Sequence, residues 1–324
     1  MTTLTEVFPI IVPVRSSLKS INFYLLKTDE SLILIDAGLN NNECWNALND
    51  TLNKNGLEIK DISHIILTHH HIDHVGLVNR IASTNPVPVY AHPLAFPRLR
   101  RDEKFIYGRI EFFSKLYKEM GCGESGKKQI EHLRKAAEAN ESQKIECDLY
   151  ELSPGRFENF EIIEVPGHAP DQIALYAADE DWLFAGDLLI SHISSNALVE
   201  PDATGERIRS LSAHNDSLKK VLSTPMDTVF SGHGVLIENP RELIEKRMAG
   251  IGRKAEKFLG LVEAGYATAG DIARAYYKDI YEKQFSLVMS EVIGHLDYLE
   301  ERGRVGKELV NGIWRYVSKQ VARL

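Results

Sequence analysis

At 324 residues the chain is long enough for one large domain or two of ordinary size. Its 44% hydrophobic and 26% charged residues exclude a disordered chain, and no apolar run approaches the roughly 18–20 residues that span a bilayer. The net charge of −8 excludes generic attraction to nucleic acid.

The apolar runs PIIVPV, INFYLLKT and SLILIDAG predict three strands, the last two joined by an Asp29-Glu30-Ser31 turn. Residues 43–54 predict a helix, HIILT (64–68) a short buried strand, VGLVNRIAS a helix and VPVYAH (87–92) another strand. This alternation points to an α/β layered domain. Residues 93–147 break it with two charged stretches of helical spacing, IYGRIEFFSKLYKEM and KKQIEHLRKAAEA, joined through the glycine-rich segment Gly121–Gly126. A helical cap inserted into a catalytic domain of residues 1–239 is the expectation, with Tyr107, Phe112 and Phe113 in its core. FEIIEVPG, IALYAAD, WLFAGDLL and DTVFSGHG return to strands, with HNDSLKKVL as a helix before the last.

From residue 240 the character changes. RELIEKRMAGIGRKAEKFLGLVEAG, TAGDIARAYY and SLVMSEVIGHLDYLEERG predict three helices, and RVGKELVNGIWRYV predicts a hairpin turning at Asn311-Gly312. The charge changes with it: residues 241–324 carry 15 Lys and Arg against 12 Asp and Glu, and residues 1–240 carry 23 against 34. Residues 240–324 therefore read as a separate, winged-helix-like domain. Three scattered cysteines (Cys44, Cys122, Cys147) fit a reducing compartment, and MTTLTEVFPIIVPV lacks the basic start and long apolar stretch of a signal peptide. A cytoplasmic protein is expected.

Residues 68–76, THHHIDHVG, concentrate four of the chain's 12 histidines and an aspartate. On extended backbone His69 and His71 can face one side, while Asp73 and His74 can project to the neighbouring side where a helix begins. Neutral imidazole and carboxylate suit Zn²⁺ or a similar divalent metal. Three more ligand types each follow a predicted strand with glycine beside them: His168 in PGHAPDQ, Asp187 in FAGDLL and His233 in FSGHG. Together with HxHxDH they are expected to form one site. His92 ends a strand and fits a capping role; His192, five residues past Asp187, is a candidate for lining the substrate mouth.

HxHxDH at 69–74, followed in order by His168, Asp187 and His233, resembles the metallo-β-lactamase superfamily over about residues 5–237. Asp36 in LIDAG resembles that family's early-strand aspartate, a hydrogen-bonding residue and not a ligand. The resemblance implies an αββα sandwich with a two-metal site along one edge of its sheets. It implies that His69, His71 and His168 hold one metal, that Asp73, His74 and His233 hold the other, and that Asp187 bridges them, with His70 pointing away. Two zinc ions per chain are implied, iron or manganese being alternatives. Two cations sharing a water bring its pKa toward neutrality, and the resulting hydroxide attacks an ester, thioester or lactone of a small molecule. Asp73 would also orient the nucleophile or pass its proton to the leaving group.

The branches of the family divide on detail. Genuine β-lactamases usually lack the bridging aspartate, and glyoxalase II enzymes usually continue the motif with a double glycine where this chain has HVGLVN. The C-terminal region resembles superfamily members with a winged-helix tail, one branch of which cleaves single-stranded RNA. Such a metal-dependent endoribonuclease is the alternative reading, with Arg302, Arg304 and Lys307 near the nucleic acid; a mononuclear iron persulfide dioxygenase is another. Against the nuclease, Glu291, Asp297, Glu300 and Glu301 would face phosphate badly. The partner expected is a small-molecule substrate, with no nucleic acid and no membrane, and the C-terminal domain is read as a packing element or homodimer contact.

Overall fold

Alternate residues of the first apolar runs face opposite ways, and each face finds its own core. In the computed structural model, which describes residues 4–319, these runs form a six-stranded sheet in chain order. Its strands are β1 (Leu4–Pro13), β2 (Ser20–Thr28), β3 (Leu32–Ile35), β4 (His64–Ile66), β5 (Val89–Ala91) and β6 (Leu149–Glu151). β1, β2 and β3 pair antiparallel, as short turns allow; β3 to β6 pair parallel, which requires crossovers. Helix α1 (Asn42–Lys54) makes the first crossover, and α2 (Ile72–Val75) with α3 (Val78–Thr84) makes the second. Phe23, Leu25, Leu32 and Leu34 share a core with Cys44, Leu48 and Leu52 of α1 and Val78 and Ile81 of α3. Tyr24, Leu26, Ile33 and Ile35, one residue out of step, share another with Phe160, Ile162, Leu175, Phe184 and Phe230.

Those last residues belong to a five-stranded sheet of order β11-β10-β9-β8-β7. Its strands are β7 (Gly155–Phe157), β8 (Phe160–Glu164), β9 (Ile173–Ala177), β10 (Trp182–Gly186) and β11 (Thr228–Ser231). Only β10 and β11 run parallel. The crossover between them includes α7 (Ser210–Leu222), numbered after α4 (Phe96–Leu99), α5 (Glu103–Glu119) and α6 (Gly123–Ala139). Ser217 of α7 donates to the Pro166 carbonyl at 2.8 Å, and Leu218 and Val221 are buried. Two sheets face to face, with helices on the outer side of the first and α7 tied to the second, make the α/β fold expected for residues 1–239. The described residues up to Asp102, with Gln143–Ser195 and Ser217–Ile244, form this compact unit.

The second compact unit corrects the expected domain division. It comprises Glu103–Ser142, Asn196–Asp216 and the described residues from Glu245 onward. Its elements include α5, α6, α8 (Pro240–Glu263), α9 (Ala269–Tyr277), α10 (Asp279–Lys283), α11 (Phe285–Glu301) and the hairpin β12 (Val305–Val310) with β13 (Ile313–Ser318). The insertion is thus narrower than 93–147, and it does not stay with residues 1–239. α11 is the reason. Apolar nearly all round, it buries Val288, Met289, Val292, Ile293 and Leu296 in one cluster with Ile110, Phe113 and Tyr117 of α5, Ile130 of α6 and Phe258 of α8. The C-terminal helices alone leave that surface uncovered, and α5 and α6 supply the missing layer. The hairpin turns where expected, with Asn311 and Gly312 both at positive φ (52° and 78°), the conformation a two-residue turn of this hand demands. Among the described residues no helix is long and apolar enough to cross a membrane.

Candidate metal centre

The clustered polar residues lie on loops that leave the C-terminal ends of strands in the first unit. Asp36 follows β3, His69–His74 follow β4, His168 follows β8, Asp187 follows β10 and His233 follows β11. The strands are rigid and buried, so the loops inherit fixed starting points. All seven expected ligands come together. His69 Nε2 and His168 Nε2 each lie 2.9 Å from His71 Nδ1. Asp187 Oδ2 is 3.3 Å from His168 Nε2 and 3.2 Å from His233 Nε2, while its Oδ1 is 3.4 Å from His74 Nε2. Asp73 Oδ2 is 3.5 Å from His233 Nε2. Asp187 therefore touches both halves of the cluster. The backbone makes room: a Cβ at Gly232 would sit 2.6 Å from Asp187 Oδ1 and 2.7 Å from His74 Cε1, so only glycine fits.

The outer hydrogen bonds decide which ring nitrogen of each histidine is available. His74 Nδ1–H donates to Asp36 Oδ2 at 2.7 Å, and His233 Nδ1–H donates to the Ser20 carbonyl at 2.8 Å. His69 Nδ1 meets Thr68 Oγ1 at 3.1 Å, and His168 Nδ1 meets Ser195 Oγ at 3.1 Å. In all four rings Nδ1 is engaged outside and Nε2 is the atom that faces the cluster, the orientation a metal-binding imidazole needs. Asp36 also accepts from Thr68 N and Thr68 Oγ1, both at 2.8 Å, so one buried carboxylate holds both ends of the 68–74 segment. This bears on its reading as a hydrogen-bonding residue, which its contacts match.

Electrostatics divides the cluster. Burial holds His69 and His71 well below the usual imidazole range, and the surrounding imidazoles add to it. At His74 burial is the largest single influence and lowers the value, but Asp36 and Asp187 together carry it well above 6.5. Burial likewise opposes the charge on Asp187, and the His74 charge with the close His233 and His168 imidazoles draws it well below the carboxylate range. Carboxylates on both sides thus demand positive charge at this point.

A divalent metal satisfies that demand, and the residues fit one. His74 Nε2, His233 Nε2 and Asp187 Oδ1 are buried without a hydrogen-bond partner, which polar atoms in a protein interior rarely tolerate. Three ligand triads have donor atoms within 4.8 Å of one another: His69, His71 and His168; His69, His74 and Asp187; Asp73, His74 and His233. Metal–nitrogen bonds of about 2.0–2.1 Å in tetrahedral geometry separate donors by roughly 3.3 Å. The 2.9 Å nitrogen separations of the first triad are close to that edge length.

The remaining candidates fall elsewhere. His70 turns to Asp171, as its expected outward orientation requires, with Nδ1 2.6 Å from Oδ1. His92 accepts from Leu94 N through Nδ1 and caps the short helical turn that follows, its Nε2 3.0 Å from Glu164. His192 Nε2 donates to the Ser17 carbonyl at 2.8 Å, so that nitrogen is engaged by the β1–β2 turn. In the second unit Phe113 is buried and stacked on Tyr117, whereas Tyr107, expected in the same core, is exposed. Thr68, Asp171 and Ser195 were not singled out from the sequence. Asp171 sits three residues after His168 inside PGHAPDQ, which was a signal; Thr68 and Ser195 carry none.

Comparison with known proteins agrees with the geometry. The pattern of the metallo-beta-lactamase superfamily matches residues 17–233. The probable metallo-hydrolase YqjP of Bacillus subtilis (strain 168) is 30% identical over 314 residues, covering 96% of each chain. An atrochrysone carboxyl ACP thioesterase of Passalora fulva is 21% identical over 315 residues, covering 93% of this chain and 76% of its own. The crystal structure of a metallo-beta-lactamase family protein from Thermus thermophilus superposes with a TM-score of 0.77 at 25% identity, covering 97% of this chain and 98% of that one. Family pattern, end-to-end relatives and ligand cluster converge: the chain is an enzyme of the metallo-β-lactamase superfamily.

Proposed function

We propose that the chain is a dinuclear metal-dependent hydrolase acting on an ester, thioester or lactone of a small molecule. The observation that carries this reading is Asp187, whose two carboxylate oxygens lie within 3.4 Å of imidazole nitrogens from both halves of the cluster. His69, His71 and His168 would hold one metal, Asp73, His74 and His233 the other, and Asp187 would be shared. Zinc suits this nitrogen-rich donor set, with iron or manganese as alternatives. When bound, two such cations supply Lewis acidity, acidifying water and polarising a carbonyl.

The chain's own residues do the rest. His74 and His233 are turned by Asp36 and Ser20 so that their Nε2 atoms face inward. Asp73, at 20% side-chain exposure against 7% for Asp187, is the more open carboxylate and is placed to take a proton from the attacking water and return it to the leaving group. No protein nucleophile is required. The thioesterase among the relatives supports including thioesters.

The C-terminal region is read as winged-helix-like, serving packing and not nucleic-acid recognition. Its third long helix, α11, is buried in the unit core. Its basic residues are engaged: Arg304 with Glu256, Lys307 with Glu300, and Arg302 over the Tyr298 ring. The test is metal analysis of protein prepared with excess zinc, followed by a screen of esters, thioesters and lactones. Two equivalents and metal-dependent hydrolysis are expected; one equivalent at most, or no turnover in any class, would overturn the reading.

A further inference from the structure

Between the two ligand histidines of the first triad lies His70, a third imidazole that ligates nothing. Its backbone N–H donates to Asp171 Oδ2 at 2.8 Å and its ring Nδ1–H to Asp171 Oδ1 at 2.6 Å. One carboxylate thus receives both the main chain and the side chain of one residue. Asp171 is 0% exposed, and it belongs to the other sheet's loop, three positions after His168. The neighbouring Ile173 N–H donates to the Thr68 carbonyl at 2.9 Å, so the two loops are stitched over 68–70 and 171–173.

Position matters here more than strength. His69 and His71 come from the first sheet and His168 from the second, so the first triad exists only while these loops keep register. The stitch is adjacent to all three. We infer that Asp171 is a positioning residue that sets the first metal site by clamping His70, and that the His70 ring is the part of the clamp that adds to the backbone bond. The burial of a charged acceptor with two short donors makes the clamp stiff, since leaving either donor unpaired in the interior is unfavourable.

This rests on the dinuclear reading above, and the test separates the two. Zinc alone is titrated against a chromophoric chelator, with wild type, Asp171→Asn, His70→Phe and His70→Asn compared, and thermal unfolding of the metal-free proteins is followed in parallel. His70→Phe removes the ring donor and keeps the backbone N–H; His70→Asn restores a donor near Nδ1. Losing a residue that positions the ligands of a metal site typically weakens metal binding about 10–100-fold. One zinc equivalent is expected to weaken by that factor in Asp171→Asn and His70→Phe, the other to stay within about threefold, and His70→Asn to recover most of the loss. Two equivalents in wild type with unchanged affinities in folded His70→Phe would overturn the clamp while leaving the dinuclear reading intact. Equal weakening of both equivalents, or failure of His70→Asn to recover affinity, would also overturn it. A wild type that binds no zinc would overturn both.

Discussion

Asp36→Asn isolates a carboxylate from the backbone that carries it. Asp36 sits at φ 58°, a left-handed conformation that asparagine tolerates as well as aspartate, so the substitution adds no backbone strain. The wild-type carboxylate accepts three hydrogen bonds, from Thr68 N, Thr68 Oγ1 and His74 Nδ1. Asparagine can keep the first through its oxygen. Its NH₂ then faces Thr68 Oγ1, which can rotate to accept, and His74 Nδ1, which must give up its proton. His74 is driven to the tautomer with hydrogen on Nε2, the atom that faces Asp187 and would bind metal. Hydrogen bonds to a charged group contribute about 1.5–3 kcal/mol each, so weakening two of them in a buried site should cost the metal-free protein about 3–5 kcal/mol. For a unit of this size that corresponds to a melting temperature roughly 6–15 °C lower. Zinc affinity should fall about 10–100-fold or more at the equivalent that His74 would hold. The assay pairs thermal unfolding with chelator competition. A melting temperature within about 2 °C of wild type together with unchanged zinc affinity would refute the argument that Asp36 orients His74.

Asp187→Ala should leave a folded protein whose hydrolytic turnover falls by more than the roughly 10–100-fold typical of an outer hydrogen-bond partner, because the shared carboxylate itself is lost; near wild-type turnover with two metals bound would exclude the bridging role. His64, at the start of β4 and so at the opposite end of that strand from the ligand loop, is buried and pushed down to about 4 by that burial. A histidine lowered from 6.5 favours the native state while neutral, so its contribution is full above 6.5 and is lost as pH falls from 6.5 toward 4, by about 3 kcal/mol in all. His64→Phe, whose ring can meet Tyr90 and Phe157 edge to face as His64 does, should therefore gain that amount relative to wild type between pH 7 and pH 4 in denaturant titrations; parallel profiles would contradict this. Phe113→Ala in α5 should destabilise the second unit by about 3–5 kcal/mol, measured by chemical unfolding, whereas an effect below about 1 kcal/mol would show that α5 is not core. Single-stranded RNA titrated at about 50 mM and about 200 mM salt should bind weakly and with a shallow salt slope; tight, steeply salt-dependent binding would restore the nuclease reading.

The candidate ligand set was legible because metal binding restricts residue type and spacing together. HxHxDH, His168, Asp187 and His233 each stand at the end of a run whose apolar character marks it as a buried strand, and strand ends converge in a layered α/β fold. Local rules also sufficed for the Asn311-Gly312 turn and for the alternation that divides β2 and β3 between two cores. Three things lay beyond them. The partnership of Asp171 with His70 joins positions 101 apart, and nothing in PGHAPDQ says which histidine its carboxylate will meet. Thr68 and Ser195 acquire their roles only from the ring nitrogens that come to rest beside them. The assignment of residues 103–142 to the C-terminal helices was the largest departure from expectation. A helix of mixed charged and apolar spacing announces that it will bury one face, and α11 announces that it needs covering on nearly all of them. Which helix covers which is settled by fit between surfaces more than a hundred residues apart, because burial of apolar area carries no direction of its own.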